Sequence, residues 1–203
     1  AGVALSFSSI RSASASSLNP FYLEKSGPGL LKLSNPATPD VGFYGLRVLG
    51  GRVALMTANT LSPGSPAFAT AQVSSGASLE LNGHANDSPF FSVNGSGVSG
   101  EGALVSSSPS PLTIGALRLA GHATVDLGGA TSILNIDSGL YNIINSSGGP
   151  VTLTKLGAGV LTLNPRATPP TDVAYDLKGG GLAVGRLFGA ARVDVRAGAM
   201  LDL

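Results

Sequence analysis

The sequence predicts an all-β chain coiled as a parallel β-solenoid, with loop excursions leaving the rod. Three observations predict it. A strand–turn–strand unit recurs with its internal spacing intact, and the strands it contains are short, alternating and bounded by Gly, Pro, Asn or Ser. No window keeps apolar residues at i, i+3, i+4 and i+7 without interruption by Gly, Pro or β-branched residues, which excludes a doubly wound α/β fold. A sandwich would pair antiparallel strands through two-residue hairpin turns and would not predict one rung repeated with fixed spacing.

The clearest recurrence is Leu23-Glu-Lys-Ser-Gly-Pro-Gly-Leu-Leu-Lys-Leu33, which returns as Leu153-Thr-Lys-Leu-Gly-Ala-Gly-Val-Leu-Thr-Leu163 at an offset of 130. The match continues at 129, where Leu46 to Leu55, with Gly50-Gly51, aligns with Tyr175 to Val184, with Gly179-Gly180. A shorter unit occurs as Ala77 to Gly83, Ala123 to Gly129 and Ala199 to Leu203. Alternation places Leu79 and Leu81, Val125 and Leu127, and Leu201 and Leu203 inside, with Glu80, Asp126 and Asp202 pointing outward into solvent. Further strands are expected at Leu30 to Leu33, Gly45 to Val48, Val53 to Met56, Leu112 to Leu119, Ile133 to Ile136 and Tyr141 to Ile144. The series ends with Val151 to Thr154, Val160 to Leu163 and Ala191 to Val195. Ser- and Pro-rich stretches at Ser12 to Pro20, Leu61 to Ala67 and Ser106 to Pro111 read as loops, and His84 to Gly102 as a longer excursion. The whole chain, residues 1–203, reads as one solenoid segment, with its internal repeat at about 23–83 and 153–203.

Composition narrows the partners. Only 11% of residues are charged against 43% hydrophobic, so Ser, Thr, Asn and Gly must cover the surface, and 29 glycines and 13 prolines supply its turns. A net charge of +1 with scattered Lys and Arg gives no electrostatic footprint for nucleic acid or an anionic membrane. No stretch reaches the roughly 20 apolar residues of a membrane helix, so membrane insertion by this segment is not expected. With no cysteine, disulfides, thiolate metal sites and thiol nucleophiles are excluded. The start, Ala1 to Ser9, has neither Met nor a basic region, as expected of a processed or excised piece.

No catalytic, cofactor or metal site is expected, and the chain reads as a non-enzyme. His84 and His122 lie outside any ligand spacing and are assigned surface roles. Asp126, Asn135 and Asp137 offer at most a loose set of oxygen ligands. The glycines of Ser26-Gly-Pro-Gly29 and Leu156-Gly-Ala-Gly159 precede no Lys-Ser or Lys-Thr and read as turn glycines, with Lys25 and Lys155 at outward turn positions. Phe21-Tyr22, Phe43-Tyr44 and Phe90-Phe91 are adjacent pairs, so one ring of each points out of a strand, to stack within a loop cap or to meet a sugar or a partner.

The pattern Leu-x-Lys-x-Gly-x-Gly-aliphatic-Leu-x-Leu at Leu23 to Leu33 and Leu153 to Leu163 resembles the passenger-associated repeat of bacterial autotransporters and related giant repeat exoproteins. The run Val-x-x-Gly-Ala-x-Leu-x-Leu at Val73 to Leu81 and Val195 to Leu203 is similar to the strand that follows in those repeats. The resemblance implies a right-handed parallel β-helix displayed outside the cell, secreted or on a bacterial surface, and it carries over no functional residues. Together with the clean strand at Val193 to Leu203, it leads to the expectation of a structural or adhesive rod. That rod either stacks end to end into a filament or continues into a longer one, with a surface glycan as a further partner. The competing expectation is a polysaccharide-processing or carbohydrate-binding β-helix protein, which non-repeating carboxylates or an aromatic ladder on one face would favour.

Overall fold

The computed structural model describes residues 5–7, 22–34, 45–57, 70–84, 90–136, 143–163, 170–185 and 190–203. They form a β-solenoid whose named strand pairs are all parallel, each strand lying on one of the preceding coil. Among the described residues the one helical turn is a 3-10 turn at Val98–Gly100, and no helix is long and apolar enough to cross a membrane.

Three faces build the rod. Face one stacks β2 (Tyr22–Lys25), β4 (Gly45–Val48), β6 (Thr70–Val73), β8 (Phe90–Gly95), the first part of β11 (Ala116–Leu127) and β13 (Ile143–Asn145). Face two stacks β1 (Leu5–Phe7), β3 (Leu30–Leu33), β5 (Gly51–Leu55), β7 (Ala77–Glu80), β9 (Leu104–Ser106) and the second part of β11. It continues through β14 (Val151–Leu156), β16 (Val173–Leu177) and β18 (Arg192–Val195). Face three stacks β10 (Leu112–Ile114), β12 (Ile133–Ile136), β15 (Val160–Leu163), β17 (Gly180–Val184) and β19 (Ala199–Asp202). The 12-residue β11 bends between Leu119 and Ala123, runs along two faces and so joins them into one sheet.

Alternation drives the core. On face three, Leu112, Leu134, Leu161, Leu182 and Leu201 stand in one inward column, with Ile114, Ile136, Leu163 and Val184 beside it. On face one the column is Leu23, Leu46, Ala71, Phe91, Leu117 and Ile143. Each fully buried Leu contributes about 1.5–3 kcal/mol, and repetition along the axis replaces the single globular core that the chain lacks.

Three expectations about strands and loops change. The stretch Leu112 to Leu119 is split, because the chain turns at Gly115 from face three into face one. His84 to Gly102 is not one excursion: Phe90–Gly95 is a face-one strand with Phe91 and Val93 fully buried, the 3-10 corner at Val98–Gly100 buries none of its residues, and residues 85–89 lie outside the described residues. Ser106 likewise is the buried end of β9 and not a loop residue. Ser12 to Pro20 and Leu61 to Ala67 lie outside the described residues.

Candidate functional site

The recurring lysines are the first side chains to depart from expectation. Lys155 is 1% exposed and occupies an inward column position between Val125 and Leu177, so it is not at an outward turn. Its aliphatic stem packs with the core, while Nζ reaches the corner and donates to the carbonyls of Leu156 (2.6 Å), Gly157 (2.9 Å) and Gly179 (3.2 Å). Lys25, in column with Val48, does the same with Ser26 (2.9 Å), Gly27 (2.7 Å) and Gly50 (2.9 Å). Each ammonium thus meets three acceptors, two in its own corner and one in the corner stacked on it. The turn glycines present carbonyl oxygens to a cation, an arrangement opposite to a phosphate loop. The stacked corners touch at Gly51 (φ +68°) and Gly180 (φ +62°), where a Cβ would run into the carbonyls of Gly27 and Gly29, or of Gly157 and Gly159.

Burial pushes the Lys155 ammonium down to about 8, and the Asp126 carboxylate in the coil beneath opposes that shift. Asp126 itself is raised, mainly by burial, with Lys155 pulling it back and Glu80 adding to the rise. Its Oδ1 is sealed from solvent with no donor among the described residues, below the Gly157 corner.

Glu80 also differs from the expected solvated residue: it is 8% exposed. Its Oε1 accepts from the backbone N–H of Asn82 (3.1 Å) and from the N–H and hydroxyl of Ser107 (3.3 Å each), so the carboxylate ties one coil to the next. Of the repeated acids, Asp202 is exposed as expected. Asp126 and Asn135 lie on strands of different faces, and Asp137 is outside the described residues. Among the described residues no group of three or more His, Asp or Glu could hold a metal.

His122, exposed at the bend of β11, accepts the Thr152 N–H through Nδ1 at 3.0 Å, a structural bond between coils. His84 lies in the turn after β7, where its backbone N–H donates to Leu81 (3.0 Å).

The aromatic pairs resolve on face one. Phe91 is core, whereas Phe90 and Tyr22 point outward, and each carries a guanidinium from the next coil: Arg47 lies 4.2 Å from the Tyr22 ring centre and Arg118 5.5 Å from that of Phe90. Phe90-Phe91 therefore sits in a strand and not in a loop cap, while Phe21, Phe43 and Tyr44 lie outside the described residues. In register, Glu24, Arg47, Gln72, Ser92 and Arg118 form one outward row along the rod. No sequence motif marks this row, since its members are brought together by coil register alone.

Comparison with protein-family models, with characterised proteins and with solved structures gives no match for this chain.

Proposed function

We propose that this chain is a stretch of an extracellular bacterial β-solenoid rod, a structural or adhesive scaffold, whose β18–β19 rung is a joining surface. The observation that carries this reading is an internal comparison. Val73 to Leu81 and Val195 to Leu203 are equivalent in sequence, and the first of them, β6–turn–β7, bears the β8–β9 rung. On the second, no strand among the described residues pairs with the outer edge, and Val195, Met200 and Leu203 are 45%, 58% and 78% exposed. Such an edge offers unpaired N–H and C=O groups and an apolar cross-section, a template for another parallel strand. Its occupant is a further rung of the same kind, from the continuing polypeptide or from a second copy stacked end to end.

An extracellular setting is supported by the cysteine-free, weakly charged composition and by the resemblance to passenger-associated repeats. A scaffold role is supported by the carboxylates' occupations: Glu80 caps coil junctions, and Asp176 pairs with Arg196 at 2.9 Å. Negative-stain electron microscopy with circular dichroism tests the reading. Fibres that lengthen with concentration put a second copy on the edge, and single β-rich rods put the next rung in the same polypeptide. Compact particles, or release of reducing ends from polysaccharides, overturn the scaffold reading.

A further inference from the structure

The two outward aromatic–arginine stacks on face one are built on the same lattice step. Tyr22 pairs in register with Gly45, and Arg47 is two residues further along; Phe90 pairs with Ala116, and Arg118 is two residues further along. They differ in the ring, Tyr22 against Phe90, and in the residue that pairs with the arginine. In the first stack Arg47 is closed by Glu24, its register partner, with Nη1 to Oε1 at 2.9 Å. In the second, the place of Glu24 beside Arg118 is taken by Ser92. Arg118 is exposed and forms no ion pair among the described residues.

We infer that the second stack is a binding site for a carboxylate-bearing sugar chain, such as a uronate oligosaccharide, whose carboxylate takes the place that Glu24 fills in the first. With its carbon 5.5 Å from the Phe90 ring centre and no acid beside it, the Arg118 guanidinium has its forked donors available for bidentate carboxylate binding. The Gln72 carboxamide and the Ser92 hydroxyl stand on the two preceding coils of the same row, spaced by about 4.8 Å each. They supply neutral donors and acceptors for sugar hydroxyls, so a linear chain lying along the rod meets amide, hydroxyl and guanidinium in turn. The row runs along one sheet face, which suits a polymer passing across it more than an enclosed small molecule. Repetition of such sites along a rod would add affinity by multivalency.

The site lies on face one, away from the β18–β19 edge, so sugar binding and rod joining fail independently. Calorimetric titration of the 203-residue chain with tetragalacturonate, its neutral methyl ester and tetraglutamate at low salt tests it. Tetragalacturonate is expected to bind, with the ester and the peptide at least about tenfold weaker. R118Q and S92E are each expected to weaken binding by at least about tenfold, S92E because it installs the internal acid. R47Q should leave it unchanged, and E24Q, by opening the first stack, should add a second site per chain. Circular dichroism confirms that the variants fold. No binding by the wild-type chain, or equal binding by R118Q and S92E, overturns the site; equal binding of tetraglutamate overturns its assignment to sugar.

Discussion

The corner at Lys25 carries the chain from face one to face two, whereas the corner at Lys155 carries it from face two to face three. The two segments are near-copies in sequence and share the bonds to the coil stacked on them: Leu49 N–H to Lys25 O (2.8 Å) with Lys178 N–H to Lys155 O (3.0 Å), and Arg52 N–H to Gly29 O (3.2 Å) with Gly181 N–H to Gly159 O (3.0 Å). The change of face happens between them, where β8–β9–β10, β11–β12 and β13–β14–β15 each visit all three faces. The motif therefore encodes a strand, a tight corner pinned from inside by lysine, and another strand. Which face it occupies is decided by the coil on which it stacks. The two corners differ as well in burial: Lys155 stacks on the described coil of β11, whose Asp126 opposes the lowering of its pKa, while Lys25 is only partly buried.

If the corners are the same device, the largest effect is shared: Gly51→Ala and Gly180→Ala should each destabilise by roughly 3 kcal/mol or more in denaturant unfolding, since each needs a positive φ and a close carbonyl. Unequal losses would break the equivalence. Lys155→Met should cost about 2–3 kcal/mol, by stranding buried carbonyls, while Lys25→Met should cost about 1 kcal/mol because water can reach that corner.

The pH dependence separates the corners further. Lys155 loses its proton at about 8 in the folded chain, whereas an unfolded lysine holds it to about 10.4. Over that interval the unfolded state binds more protons, so stability should rise as pH increases from about 8 toward 10. Thermal unfolding across this range should show the rise in the wild type, mostly removed in Lys155→Met and largely retained in Lys25→Met. The smallest effect concerns the positions after the corners, where Tyr175 stands at the equivalent of Leu46. Tyr175 is 1% exposed and its hydroxyl finds no partner among the described residues, while burial drives its ionisation upward. Tyr175→Phe should therefore stabilise by about 0.5–1 kcal/mol, measurable as a shift in denaturation midpoint.

Much of the fold was legible in sequence where alternation and breakers agree: β3, β4, β12 and β15 have the expected bounds. Alternation also held the answer for the lysines, because Lys25 falls on the face of Leu23, and Lys155 on that of Leu153; their charge argued for solvent, and the corner carbonyls overrode it. The β8 strand was hidden by its Gly, Ser and Asn surroundings, although Phe91 and Val93 keep the two-residue period. Burial of Glu80 was not legible, since its partner Ser107 lies a whole coil away. Nor was the Gln72–Ser92–Arg118 row, whose spacing along the chain reflects coil length and not any local motif.

The bent strand β11 has a mechanical consequence. It is bonded to β8 and β9 on one side and to β13 and β14 on the other, on two faces at once. A pull along the rod axis crosses this coil through β11 on two faces and through β12 on the third, and β11 couples the first two so that neither carries load alone. Peeling one face away would load the other at once, so the halves should yield to force together and not coil by coil.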